Sequence, residues 1–348
     1  MAKQKGTVRC DCDTLRSWRC PCTFGPTKVY VELLLILVHT FVVARLLLLL
    51  EGRAPLKSED IITLFRNTKS HDSVIRTSII YSGPTSLDKE VYLENFEFFL
   101  KHGLPSSRHD GCDLPIDVFV VLTTETYRHY RDTLRRYNES CGEIQIIIRE
   151  DKCYDMESAR VALVDPRQRF EKVVFVNCGL KGPFSSPQNI RFWTRSFTDR
   201  IDERVKLTGI TINCGGKLHM HHAHVQSMLW ATDKTGLASI IDAGAIYDCG
   251  WELSRWHGRE ELINTYELGL SRAVLRAGYL IQDQLNRTFA WRTATNSECS
   301  DLWNDDHLVE KYSPEALVFW KVTRKAQGLA LPKWVASVNG DLEKARVY

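Results

Sequence analysis

The stretch Asn177-Cys-Gly-Leu-Lys-Gly-Pro-Phe184 follows an apolar run and sets two glycines around a lysine. Gly179 and Gly182 would let the backbone come close to a diphosphate, and Lys181, with Arg191 and Arg195 downstream, would bring positive charge to it. The same residues also describe a tight turn after a buried strand with surface cations beyond it. His219-Met-His-His-Ala-His224 puts four imidazoles in six residues, enough for His219, His221 and His222 to ligate Zn2+ or Mn2+. The acid of an H-E-x-x-H hydrolase site is missing, so exposed loop histidines explain the run as well. A base able to take a proton from a hydroxyl would have to come from Asp199, Asp233, Asp242, Asp248 or Glu267. Trp193, Trp230, Trp251 and Trp256 have flat faces that can stack on sugar rings, although tryptophan more commonly fills cores.

These groups need a frame. Ser78-Ile-Ile-Tyr-Ser-Gly83 is a short apolar strand ending in a turn, and Tyr92, Leu93, Phe96, Phe99 and Leu100 recur at helical spacing up to Gly103. Ile116-Asp-Val-Phe-Val-Val-Leu122 is a second strand, followed by a helix over residues 127–137. Residues 143–149 form a third strand, residues 157–164 a helix, and Lys172-Val-Val-Phe-Val-Asn177 a fourth strand. Strand and helix alternating three times and closing on a strand predict a largely parallel α/β sheet with helices on both faces. Ligands in such sheets sit at the carboxyl ends of the strands, where strand order reverses, and Asn177 ends the fourth strand. Further on, residues 207–213 read as one more strand, and residues 223–241 and 260–281 as two helices.

With 348 residues, 44% hydrophobic, 26% charged and a net charge of +3, the chain is neither disordered nor a nucleic-acid-binding polyelectrolyte. Residues 31–50 are the one run long enough to cross a bilayer, and fifteen of them are Leu, Ile, Val or Phe. Glu32 and Arg45 lie near its ends, where charge is tolerated best. Basic residues dominate before it, which places the N-terminus in the cytosol. The expected layout is a cytosolic tail over 1–28, an anchor in the lipid bilayer over 29–50, a stem over 51–72 and a lumenal domain over 73–348. The sequons at Asn138 and Asn286 suit a lumenal body. Cys10, Cys12, Cys20 and Cys22 fall in the tail, as zinc ligands, palmitoylation sites or free thiols. The other seven cysteines are an odd set, so at least one lumenal thiol stays unpaired.

Taken together, Val174-Phe-Val-Asn-Cys-Gly-Leu-Lys-Gly-Pro-Phe184, Leu207-Thr-Gly209, His224-Val-Gln-Ser-Met228 and Tyr266-Glu-Leu-Gly-Leu-Ser271 resemble the rhamnan synthesis protein F family over roughly residues 78–330. The resemblance implies a nucleotide-binding, GT-A-like fold and a hexosyl- or deoxyhexosyl-transferase using a nucleotide-sugar donor and a glycan acceptor. With the anchor, it implies a single-pass type II protein of the Golgi membrane. Asn177, Gly179, Lys181, Gly182 and Gln226 would then bind the donor, and His224 and Glu267 would be catalytic, Glu267 as an acid at the start of a helix. Transferases of this kind often hold Mn2+ or Mg2+ through Asp-x-Asp at the fourth strand end. Asn177-Cys-Gly179 replaces that motif, and a neutral amide binds a hard cation less well than a carboxylate. A metal-independent enzyme is therefore allowed, and so is a carbohydrate-binding or scaffold protein that has lost catalysis. If residues 29–50 are the sole anchor, a form starting at residue 52 behind a cleavable signal is expected in the culture medium. Recovery of that form in the membrane pellet would contradict the single-anchor layout.

Overall fold

In this computed structural model the described residues are 76–104, 116–141, 144–165, 170–184, 193–214, 223–247, 258–291 and 317–321. The chain divides into two compact units, Met1–Ala54 and Pro55–Tyr348. All described residues belong to the second. The expected anchor lies outside them, and no described helix is long and apolar enough to cross a membrane.

The first half follows the expected alternation: β1 (Thr77–Ser82), α1 (Glu90–His102), β2 (Ile116–Leu122), α2 (Thr124–Cys141), β3 (Ile144–Ile148), α3 (Tyr154–Leu163) and β4 (Lys172–Asn177). β2 and β4 both pair with β1 in parallel, and β3 pairs in parallel with β2. The chain thus builds outward from β1 to β3 and then returns to the other side of β1. Strand order reverses between β1 and β4, where Ser82 stands opposite Asn177.

These strands read as continuous apolar runs because both of their faces are covered. Ile79, Tyr81, Val118, Val120, Val174 and Val176 face one core with Phe96 and Phe99 of α1 and Leu134 of α2. Ile80, Phe119, Val121, Val173 and Phe175 face the other, with Met156 and Ala159 of α3. The alternation of neighbouring residues between two cores is the period of two of a pleated strand. Mixed α/β architecture with a large, mostly parallel sheet between helical layers is therefore what the chain adopts.

After the short helix α4 (Arg195–Thr198), the second half departs from the sequence expectation in three places. The expected strand over 207–213 is two: β6 (Val205–Gly209) stays in the main sheet, while β7 (Ile212–Asn213) leaves it to pair with β8 (His224–Val225). A Cβ on Gly209 would lie 2.3 Å from Val225 Cγ1, so the bend needs a residue without a side chain where β8 packs. The expected helix over 223–241 begins only at α5 (Lys234–Asp242); its first part is β8 and β9 (Leu229–Asp233). β9 runs antiparallel between β4 and β6, and its Trp230 stacks on Phe175 at 5.4 Å. Tertiary pairing overrides the helical spacing there. Asp233 then caps α5 by accepting the Gly236 N–H at 2.9 Å.

The expected helix over 260–281 is α6 (Gly258–Leu262), a π-helical turn (Ile263–Glu267) and α7 (Leu268–Arg276). It stops at Gly278, whose φ is +89°, and the chain continues as β10 (Leu280–Asp283). β10 is parallel to β6, and β11 (Thr288–Phe289) pairs antiparallel at its edge. Two short strands, β5 (Leu180–Lys181) and β12 (Trp320–Lys321), pair antiparallel beyond β4. The main sheet has the order β11-β10-β6-β9-β4-β1-β2-β3.

Asp283 ties this second half together. It is fully buried and accepts the Ile212 N–H at 3.1 Å, the Arg287 N–H at 2.9 Å and Arg287 Nε at 2.6 Å. Arg287 also donates to the Ile212 carbonyl at 2.7 Å, so one ion pair holds β10 to β7. Asp283→Ala is expected to lower unfolding free energy by about 3 kcal/mol, because it strands a cation and a buried N–H. Urea denaturation checks this; a change below about 1 kcal/mol would show that water replaces the carboxylate.

Candidate functional site

β4 ends in Asn177, whose backbone N–H donates to the Met228 carbonyl and whose successor Cys178 donates to the Ser82 carbonyl, both at 2.9 Å. The Asn177 side chain works in two directions. Its Oδ1 accepts the Gly179 N–H at 3.0 Å, which folds the loop, and its Nδ2 donates to Asp155 Oδ2 at 3.0 Å. Asp155 stands in the first turn of α3, just after Cys153 and Tyr154, which take φ of 54° and 52°. Two consecutive residues with side chains in the left-handed region cost about 1 to 3 kcal/mol each, and such strain gathers where geometry serves a function. Cys153 is disulfide-bonded, which helps to hold that backbone, and Tyr154 is left 57% exposed.

A cavity of about 250 Å³ opens beside this junction. Tyr154 and Asp155 line it from α3, Asn177 and Gly179 from the β4 end, and Ser227 and Met228 from the β8–β9 turn. Arg259 of α6, Tyr266 and Glu267 of the π-helical turn, Tyr92 of α1 and Lys321 of β12 complete it. The wider π turn brings neighbouring residues to two different tasks. Tyr266 is buried, with its hydroxyl accepting Trp230 Nε1 at 3.1 Å, while Glu267 reaches the cavity. Glu267 therefore lies inside a continuous helical run that starts at Gly258, not at a helix start, and the amino-terminal dipole does not act on it.

Burial is the main reason that the Asp155 carboxyl rises to about 6. The Asn177 hydrogen bond opposes the rise, and the nearby Glu267 charge adds to it. The negative field spreads to its neighbours. The Cys178 thiol is pushed up to about 12 by burial and then by Asp155, and Tyr266 is raised for the same two reasons. Arg149 is lowered by burial and uses its guanidinium on the Glu150 and Lys152 carbonyls, at 2.8 and 3.1 Å.

Of the residues that the sequence singled out, Asn177, Gly179 and Glu267 meet in this cavity. The others lie elsewhere. Lys181 sits over the Phe98 ring and pairs with Glu94 at 3.7 Å. Gly182, at φ +150°, is packed on Phe319, where a Cβ would come within 2.6 Å. His224 is buried on β8 opposite Asn213, and Gln226 is buried and accepts Thr211 Oγ1 at 3.4 Å. Both belong to a strand and turn, not to the helix expected there. Asp233 caps α5 and binds Lys206 at 2.6 Å, whereas Asp199 and Asp242 are exposed. Trp193 and Trp230 are core residues. His219, His221, His222, Arg191, Asp248, Trp251 and Trp256 fall outside the described residues.

Asp155 was missed. Its legible signal was position: it follows the carboxyl end of β3, as Asn177 closes β4, and strand ends face the same crevice. Two carboxylates, Asp155 and Glu267, are the acidic donors that line the cavity among the described residues. The Asn177 oxygen is engaged by Gly179, and no group of three His, Cys, Asp or Glu able to hold a metal exists among the described residues.

No family model matches the chain, and no curated protein matches its sequence. Among solved structures it is similar to the apo-form glycosyltransferase GlyE of Streptococcus pneumoniae TIGR4, with 10% identity and a TM-score of 0.35, over 61% of this chain and 46% of that one. It is also similar to S. aureus TarS 1-349, with 13% identity and a TM-score of 0.35, over 78% of this chain and 81% of that one. A third likeness is to 4-diphosphocytidyl-2C-methyl-D-erythritol synthase of Anaerococcus prevotii, with 12% identity and a TM-score of 0.30, over 49% and 74% of the two chains. The chain thus spans less than half the length of GlyE, and likenesses at this level do not bear on activity.

The raised Asp155 carboxyl has a consequence for stability. The native state holds this proton more tightly than an unfolded chain, whose Asp titrates near about 3.9. The contribution of Asp155 is then fully present below about pH 4 and lost as pH rises through about 6. Asp155→Asn, which cannot ionise, is expected to gain thermal stability over the parent as pH is raised from 5 to 7.5. Parallel melting curves for the two proteins across that range would contradict the assignment.

Proposed function

We propose that this protein is a GT-A-like glycosyltransferase that moves a sugar from a nucleotide-sugar donor to a glycan acceptor. The supporting observation is the cavity at the strand-order reversal, next to Ser82 and Asn177, where α/β sheets bind their ligands. Its chemistry is mixed: Arg259 and Lys321 are cations suited to a diphosphate, while Asp155, Asn177 and Glu267 can hydrogen-bond the hydroxyls of a sugar. Tyr92 and Tyr154 add aromatic surface for a base or sugar ring. A nucleotide sugar carries all three of these parts in one molecule.

The donor set described above favours transfer without a metal ion: Arg259 and Lys321 would offset the charge of the departing diphosphate, as a cation does elsewhere. The disulfide-bonded Cys153 and Cys214 accord with an oxidising lumen, and residues 29–50 with a type II anchor in a Golgi membrane. Kinship with the rhamnan synthesis protein F family, and use of a hexosyl or deoxyhexosyl donor, belong to the same proposal. A second reading, a lumenal carbohydrate-binding or scaffold protein without catalysis, is favoured by Asn177 standing where an acid would be expected, with its side chain turned into its own loop.

Calorimetry on the full chain in detergent, with UDP, GDP, dTDP and CDP, tests the proposal. One nucleotide is expected to bind, with the same affinity in the presence or absence of Mn2+, and about tenfold more weakly to Asn177→Ala, since each lost tenfold is about 1.4 kcal/mol. A folded sample that binds none of the four would favour the scaffold reading.

A further inference from the structure

The buried and half-buried acids of this protein are of two kinds. Glu157 is clamped by Arg160 at 2.7 Å, Asp283 by Arg287 at 2.6 Å, and the partly buried Asp233 by Lys206 at 2.6 Å. Each of these carboxylates is neutralised by a cation and serves structure. Asp155 differs. Its side-chain partner is the neutral amide of Asn177 on Oδ2, and it has no ion pair among the described residues. The charged and titratable groups that act on it are Glu267 from the π-helical turn, Arg149 beyond β3, Cys178 beyond β4 and the buried Tyr266, and the cavity it opens on is also lined by Arg259 of α6, Lys321 of β12, Tyr92 and Tyr154. The like charge of Glu267 stands in the same cavity, and strained backbone at Cys153 and Tyr154 delivers Asp155 to it.

An acid with no ion pair among the described residues, fixed by an amide and opened to a cavity is one whose proton can be exchanged. We propose that Asp155 is the proton acceptor for the attacking hydroxyl in this cavity, with Asn177 as its positioning residue; this rests on the donor-site reading above. In the step, the hydroxyl O–H bond breaks and its proton passes to the Asp155 carboxylate. The oxygen forms a bond to the anomeric carbon, and the bond from that carbon to the diphosphate breaks. The electron pair leaves with the nucleoside diphosphate, near Arg259 and Lys321.

Burial, with Glu267 adding to it, sets the carboxyl at about 6, so the group is a carboxylate above that pH and still basic enough to accept a proton. The test is release of nucleoside diphosphate by the full chain from UDP-glucose, UDP-galactose, GDP-mannose and GDP-fucose between pH 5 and 8, with water and p-nitrophenyl glycosides as nucleophiles. The parent is expected to lose kcat/KM below about pH 6. Asp155→Asn is expected to release product about 100-fold more slowly and without that acid limb, since general-base catalysis contributes about 100- to 10,000-fold. Its affinity for the free nucleoside diphosphate should stay within about threefold, which a merely structural lesion would not allow. Asp155→Glu should recover part of the rate.

A parent that binds no nucleotide overturns the donor reading and this proposal with it. A parent that binds nucleotide but releases none from any donor, or an Asp155→Asn protein that matches the parent in rate and pH profile, overturns this proposal alone.

Discussion

The site depends on one side chain that bonds at both ends. Asn177 closes β4, folds the next loop through its oxygen and holds Asp155 through its nitrogen. Because β4 lies in register with β1, with Asn177 opposite Ser82, the amide is placed by the rigid centre of a sheet buried on both faces. Aspartate at position 177 would bring a like charge to Asp155 and lose the N–H that binds it. An amide here is thus consistent with a neighbouring acid kept close, whereas a metal-binding pair would need the reverse.

The opposite side of the cavity depends on packing rather than on hydrogen bonds along a strand. β9 enters the sheet antiparallel between β4 and β6, which presses Trp230 onto Phe175. Trp230 then donates to Tyr266, and this buried contact fixes the π-helical turn from which Glu267 reaches the cavity. A regular helix would have carried residue 267 further around its axis, since each added residue per turn changes the facing side. The two carboxylates therefore meet because two separate parts of the sheet were brought together by aromatic contact and register.

Much of the fold was legible. Ile79, Ile80, Phe119, Val120, Val174 and Phe175 stand in apolar runs separated by helical spacing, and runs of that kind are buried on both faces of a parallel sheet. The strand-end rule also located Asn177 and Gly179 at the cavity. It failed where spacing is ambiguous. His224, Val225, Met228 and Leu229 can be placed on one face of a helix, yet they form β8, a turn and β9, because β4 and β6 offer a vacant ladder between them. Lys181 and Gly182 looked like ligands for phosphate by type alone, but pairing of β5 with β12 spends them on Glu94 and Phe319.

The sequence by itself determined the alternation of strands and helices, the strand end at Asn177, and the apolar run at residues 31–50, because each of these is written in neighbouring residues at spacings of one to four. Only the tertiary structure decided that Asp155 meets Asn177 across 22 positions of chain and that Glu267 joins them from 90 positions beyond Asn177. Proton affinity follows the same division. A carboxyl has one value in water, and Asp155 departs from it only when folding removes water, supplies an amide and brings up a second negative charge.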